Sequence, residues 1–246
     1  MSDIRENLAR VRDRIAAACR RAGRAPDDVL LIAVSKTVDV EGIRQAVDAG
    51  VSALGENRVQ EARDKVAALG RPVPWHLIGS LQVNKARDAA RLFDWIHSVD
   101  RLELARELDR RARAVGRTVD VLIEVNVGHE TQKGGVPVGE LRHLVDGLGP
   151  LAGLRLGGLM AIPPVADDAE RTRPHFRRLR ELRDELGLRH LSMGMSADYE
   201  VAIEEGATMV RVGTAIFGAR SVARPRGAAS PDRSEPVGPT GSGVGR

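Results

Sequence analysis

Only four of the 38 basic residues in this 246-residue chain are lysine, at positions 36, 65, 85 and 133, and the first of them closes an apolar run. Side chains alternate along a strand, so in the run 29–36 Leu30, Ile32 and Val34 share a side with Lys36 while Leu31, Ala33 and Ser35 take the other. A lysine at a strand end commonly lays its stem on apolar surface and its head in water. Where arginine serves nearly every other basic position, chemistry peculiar to lysine becomes the better reading. A primary amine, partly desolvated at the mouth of a fold, attacks an aldehyde to form a Schiff base.

A second group of residues lies near the far end of the chain. The run Leu191-Ser192-Met193-Gly194-Met195-Ser196 leads from a strand into a helical stretch near 198–205, which places Ser196 as a cap. The next run, 208–217, carries Gly213 and Thr214, where glycine permits close backbone approach and threonine adds a hydroxyl. Either feature alone is ordinary structure; at two consecutive strands they predict a phosphate site, since helix N-termini offer unpaired N–H groups to anions. Arg211 shares strand parity with Met209 and Gly213. Such a charge needs a partner, either a core carboxylate such as Glu124 or the ring nitrogen of a pyridine cofactor. Asn57, after the second strand, either contacts a ligand or caps the following helix. His76, inside a strand, reads as a satisfied core histidine, and the six histidines show no metal-ligand spacing.

These residues need elements to carry them to one place. Residues 2–22 form an amphipathic helix, with Ile4, Leu8, Val11, Ile15 and Cys19 at helical spacing and Gly23 ending it. Eight apolar runs follow, at 29–36, 52–55, 75–79, 95–99, 119–126, 154–162, 190–195 and 208–217. Helical patterns separate them at about 40–49, 59–69, 83–92, 101–115, 138–148, 167–186 and 198–205. Asp39 is set to cap the first of these helices, and Asp100 with Glu103 spells a capping box for the fourth. Alternation of this kind at this length predicts an α/β fold, a single (β/α)8 TIM barrel with an extra N-terminal helix. The barrel is expected over residues 1–220, and the Gly-, Pro-, Ser- and Arg-rich stretch 221–246 reads as a disordered tail. In a barrel the strand ends, Lys36 among them, form the face where active sites sit, and the loops after strands seven and eight are the usual phosphate site.

Composition narrows the partners. The net charge of +4 comes from bases interleaved with Asp and Glu, and three Phe, two Trp and one Tyr build no stacking platform, so no nucleic-acid partner is expected. No apolar run reaches the ~18 residues of a membrane span. A lone cysteine, Cys19, and a charged N-terminal segment point to a cytoplasmic protein, expected as a monomer.

Several segments together resemble the YggS/PROSC family of pyridoxal phosphate homeostasis proteins, which share the barrel of the alanine racemase N-terminal domain. They are Ala33-Val34-Ser35-Lys36, Gly55-Glu56-Asn57, His76-Leu77-Ile78-Gly79 with Gln82 and Asn84-Lys85, Gly158-Leu159-Met160, Leu191 to Ser196 with Asp198, and Val210-Arg211-Val212-Gly213 with Ile216-Phe217-Gly218. The resemblance implies pyridoxal 5'-phosphate as the cofactor, joined to Lys36 as a Schiff base. It implies that Ser196, Gly213 and Thr214 hold the phosphate, that Arg211 approaches the ring nitrogen, and that Asn57 lies beside the cofactor. The loop 128–132 departs from the family pattern.

A racemase of this fold is expected to bring a second base, a tyrosine from an additional β domain. The single tyrosine here, Tyr199, falls in the helix after strand seven. The expectation is therefore a non-catalytic holder of the cofactor that buffers the aldehyde and passes it to cofactor-dependent apoenzymes. A weakly active amino-acid racemase or lyase is the alternative, separable by chiral analysis after incubation with single enantiomers. A cofactor-free Schiff-base aldolase would stay colourless with added cofactor, and an RNA-associated protein would bind nucleic acid with steep salt dependence.

Overall fold

Apolar runs that alternate with amphipathic helices have two faces to bury, and closing the sheet on itself buries one inside and the other beneath the helices. The computed structural model, which describes residues 3–128, 130 and 134–218, shows this arrangement. Its strands are β1 (Leu30–Val34), β2 (Leu54–Glu56), β3 (Trp75–Leu77), β4 (Trp95–Val99), β5 (Val119–Asn126), β6 (Val136–Pro137), β7 (Leu154–Met160), β8 (His190–Ser192) and β9 (Met209–Val212). The helices are α1 (Ile4–Arg21), α2 (Val40–Asp48), α3 (Val59–Leu69), α4 (Ala86–Leu92), α5 (Leu102–Ala114), α6 (Leu141–Leu148), α7 (Arg173–Glu185), α8 (Tyr199–Glu204) and α9 (Thr214–Phe217). Eight strands pair in parallel around a ring, β1-β2-β3-β4-β5-β7-β8-β9 and back to β1. The ninth, β6, is two residues long and pairs only with the end of β5. The barrel expected from the alternation is thus closed, and α1 is the additional helix, packed against α8 and α9.

Strand parity decides what each face holds. Ile32, Ala53, Leu122, Met160 and Met209 form a small apolar cluster of their own, while Ala33, Leu54, Val210 and Val212 belong to the large core shared with the helices. The first set lies inside the barrel and the second in its helix-covered wall. Ser35 and Glu56 carry the parity of the wall, whereas Arg211 carries that of the interior.

Helix ends agree with the sequence in part. Asp39 caps α2, accepting from Gly42 N at 2.8 Å, and Gly23 follows α1 at a φ of +64°. The capping box at Asp100 and Glu103 does not form: the residue before α5 is Arg101, and the Asp100 carboxylate pairs with its guanidinium. The expected helix 167–186 opens as a 3-10 turn over Ala169–Thr172, capped by Asp168, and becomes α-helical only at Arg173. The expected strand 208–217 stops at Val212, because the Gly213 carbonyl turns to accept from Ile216 and Phe217 and starts α9. The tail expected over 221–246 lies outside the described residues.

Candidate functional site

Four neighbouring strands, in the order β2-β1-β9-β8, bring the sequence-predicted residues to one end of the barrel. Val34 pairs with Gly55 on one side, and on the other Ala33 pairs with Val212, so the ends of β2, β1 and β9 are level. Lys36 follows β1, with Asn57 beyond β2 beside it and Gly213-Thr214 beyond β9 on its other flank. Lys36 is exposed and makes no hydrogen bond or ion pair within the described residues. The partial desolvation expected for this amine is therefore not found; what marks it is the absence of a partner.

Asn57 does not cap α3, whose first turn has no side-chain cap, and its Oδ1 is buried without a hydrogen-bond partner among the described residues. The loop is pressed against the end of β3: a Cβ at Gly79 would lie 2.4 Å from Asn57 O, so only glycine fits there. The loops after β2 and β3 border an open cleft lined by Asn57, Arg58, Ser80, Gln82 and Lys85, which shares Asn57 with the site but not Lys36.

On the other flank, Ser196 departs from its expected role. The residue before α8 is Asp198, whose carboxylate accepts from Met195 N at 2.7 Å, and the Ser196 hydroxyl instead accepts from Gly213 N at 3.4 Å. This contact ties the loop after β8 to the start of α9. Gly194 makes the turn possible, with φ +90° and a Cβ position 2.6 Å from Ala202. The backbone N–H groups of Ser196, Thr214 and Ala215 meet no acceptor among the described residues. Unpaired N–H groups at loop and helix starts suit an anion.

Of the two partners that its sequence position offered, Arg211 does not form the ion pair with Glu124. No carboxylate of the described residues forms an ion pair with it; Nη1 donates to Ser192 Oγ at 2.6 Å and Nη2 to Ala161 O at 3.0 Å. Burial depresses its pKa to about 10, against the pull of Glu124 and Asp198. Of five guanidinium N–H groups, those not used in these two bonds remain for an acceptor in the mouth. Ser192 Oγ lies 2.9 Å from His97 Nδ1, and His97 Nε2 lies 3.0 Å from His76 Nδ1. Ser192 has one proton, and with Arg211 donating to its oxygen that proton goes to His97 Nδ1, so both imidazoles carry theirs on Nε2. Burial holds His76 at about 3 and His97 well below its ordinary range. His76 is thus a core residue, as expected, and the chain from Arg211 to His76 is neutral beyond the guanidinium.

Two features go beyond the sequence reading, in which Glu124 stood only as an alternative partner of Arg211. Glu124, near Arg211, accepts no hydrogen bond among the described residues, and burial, with Asp100 adding to it, raises its carboxyl to about 7. In the wall beneath β1, buried Lys65 donates to Ser35 O, Glu56 Oε1 and Glu61 Oε1 at 2.6, 2.6 and 2.7 Å. Burial raises Glu56 in spite of Lys65; at Glu61, burial is outweighed by Lys65 and the Thr37 N–H, and the carboxyl falls below its usual range. The spacing of Glu61 and Lys65, four residues apart on a helix, was the available signal.

A phosphorylated pyridine aldehyde asks for an amine without a partner, an anion cradle and a polar group at the ring. Lys36, the unpaired N–H groups around Ser196 and Thr214, the orphaned Asn57 oxygen and the spare Arg211 protons fit those needs.

The comparisons cover the part of the chain that carries these residues. The family model described as alanine racemase, N-terminal domain, matches residues 6–221. A pyridoxal phosphate homeostasis protein of Aquifex aeolicus is 50% identical over 222 residues, covering 87% of this chain and 97% of that one. One from Escherichia coli is 44% identical over 233 residues, covering 91% of this chain and 100% of its own. Among solved structures, PipY of Synechococcus elongatus with PLP bound superposes with a TM-score of 0.78 at 41% identity, over 87% of this chain and 100% of that one.

Proposed function

Because this chain belongs to the pyridoxal phosphate homeostasis protein family, built on the alanine racemase N-terminal domain, we propose that it holds pyridoxal 5'-phosphate through Lys36 and passes it to cofactor-dependent apoenzymes without sustained turnover of its own. The observation that carries this reading is the convergence of Lys36, Arg211 and the N–H groups of Ser196 and Thr214, unpaired among the described residues, on the three adjacent strand ends β1, β9 and β8. When bound, the cofactor supplies an aldehyde with which an amine condenses reversibly, releasing water.

Lys36 is the amine for that step, since among the described residues it carries no ion pair that would have to be broken. Ser196, Gly213 and Thr214 would hold the phosphate, with hydroxyls and backbone N–H groups to offer it. Asn57, beyond β2, would supply a polar group beside the cofactor. Arg211 keeps its proton even at a pKa of about 10 and so donates to the ring nitrogen without protonating it. A ring held in this way withdraws electrons weakly, which suits storage better than chemistry at a substrate carbon.

Among the described residues, neither the tyrosine nor the inner histidines offer a partner to Lys36 for two-base proton transfer. Tyr199 is buried in the wall, its ring 5.2 Å from the Arg14 guanidinium, and the two inner histidines are neutral and engaged with one another. A second reading, a weakly active amino-acid racemase or lyase, draws on Glu124, a carboxyl without an ion pair among the described residues and held at about 7 on the barrel's inner side. Incubation with single-enantiomer amino acids and chiral analysis separates the two: no sustained turnover is expected. The holding role itself is tested by the visible spectrum before and after borohydride, followed by peptide mapping. Modification of Lys36 is expected, and modification elsewhere overturns the assignment.

A further inference from the structure

Lys36 is fixed by what its neighbours in the chain touch. The carbonyl before it, Ser35 O, accepts from Lys65 Nζ at 2.6 Å, and the N–H after it, Thr37 N, donates to Glu61 Oε1 at 2.6 Å. Lys65 joins the two by donating to that same Glu61 oxygen at 2.7 Å and to Glu56 Oε1 at 2.6 Å, while Ser35 Oγ donates to Glu56 Oε1 at 2.7 Å. An ammonium has three protons, and these three acceptors use them all. Between the two tethers the chain reverses: Thr37 has a φ of +64°, the only positive value at a non-glycine position among the described residues. A side chain bearing a Cβ adopts that conformation only where its surroundings impose it.

We propose that Lys65 is a positioning residue for Lys36, setting the direction in which the reactive side chain leaves β1 by tying down the backbone on either side of it. This role rests on Lys36 being the amine that takes up the aldehyde. Lys65 does not compete for the aldehyde, because it is buried in the wall with no proton left free and lies beneath the backbone of residue 35. Its removal leaves Glu56 and Glu61, whose Oε1 atoms both approach one Nζ, as two close carboxylates with no cation between them. Glu61, the more exposed, then turns to water and releases Thr37 N, and Ser35 O loses its donor. The reversal at Thr37 loses the bonds that enforce it, and the amine is no longer presented in one direction.

The experiment mixes full-length apoprotein with pyridoxal 5'-phosphate and follows the visible band by stopped flow in the wild type, Lys65→Met, Lys65→Arg and Glu61→Ala. Borohydride mapping and thermal unfolding are run on the same samples. In Lys65→Met the adduct is expected to remain on Lys36 while its rate of formation falls by about tenfold to a hundredfold, the scale on which misplacing a reacting group acts. Lys65→Arg recovers part of the rate, and Glu61→Ala, at a half-buried position, loses rate in the same direction; Glu61→Ala carries the test alone if Lys65→Met does not fold. A wild-type adduct mapped elsewhere than Lys36 overturns the holding role itself. An adduct on Lys36 whose rate in Lys65→Met and Glu61→Ala matches the wild type, even with lowered thermal stability, overturns the positioning role alone.

Discussion

Lys65 and Arg211 are both buried cations within a few residues of the same barrel mouth, one in the wall under β1 and the other inside on β9, and their partners differ in kind. Lys65 meets two carboxylates and a carbonyl and has no donor to spare. Arg211 meets a hydroxyl and a carbonyl, both neutral, and keeps protons unused. A buried charge that is matched locally holds structure together, and removing one partner of such a pair is costly. A buried charge left unmatched is stabilised only when something else arrives, so it marks the place where a ligand acceptor belongs.

That contrast predicts opposite responses to removing each cation. Lys65→Met should destabilise the apoprotein by about 3 kcal/mol, or roughly 6–12 °C in Tm by calorimetry, because it strands a buried carboxylate. Glu124→Gln tests the unmatched interior from the anionic side. The Glu124 carboxyl is raised to about 7 in the folded chain, against an ordinary value of 4.5, so the folded state binds its proton more tightly. Its ionisation therefore weakens folding as pH rises from 4.5 through about 7, by on the order of 3 kcal/mol, and has no effect below that window. Denaturant titrations at pH 4 and pH 8 should show Glu124→Gln gaining on the wild type only at the higher pH; equal gains at both would mean that Glu124 is matched after all.

Arg211→Met sharpens the comparison further. Apoprotein stability should be unchanged or rise by about 1–2 kcal/mol, since an apolar side chain of similar length replaces a buried charge with no ion pair among the described residues, while uptake of pyridoxal 5'-phosphate weakens. A large loss of stability would place Arg211 with Lys65 as a structural cation. The smallest effect is expected from Asp3→Ala, which removes the cap whose carboxylate accepts from Arg5 N at 2.8 Å. It should cost about 0.5–1 kcal/mol and leave cofactor uptake alone, showing that lost stability does not by itself loosen the site.

Much of this was legible in the sequence because a closed parallel sheet obeys strand parity on both faces. The side chains sharing a side with Lys36 and with Arg211 are those found inside the barrel, and the eight apolar runs became the eight ring strands. What parity does not carry is the partner of a side chain. Arg211 stood equally between Glu124 and a ligand until the distances placed Ser192 and Ala161 around it. Ser196 was assigned to a cap from its place before a helix, but the loop runs on to Asp198, and its hydroxyl turns to Gly213 across to the next strand end. The Lys65 cluster joins residues 35, 56, 61 and 65, a closure that depends on α3 folding back over β1 and β2; only the four-residue spacing of Glu61 and Lys65 hinted at it.

A crystal structure of the full chain soaked with pyridoxal 5'-phosphate tests the contrast most directly. It should show the cofactor bonded to Lys36 Nζ, its phosphate between Ser196 and Thr214, a spare Arg211 N–H directed at the ring nitrogen, and Lys65 still donating to Ser35, Glu56 and Glu61. A cofactor seated away from Lys36, or Arg211 swung onto Glu124 with the ring nitrogen untouched, would contradict it.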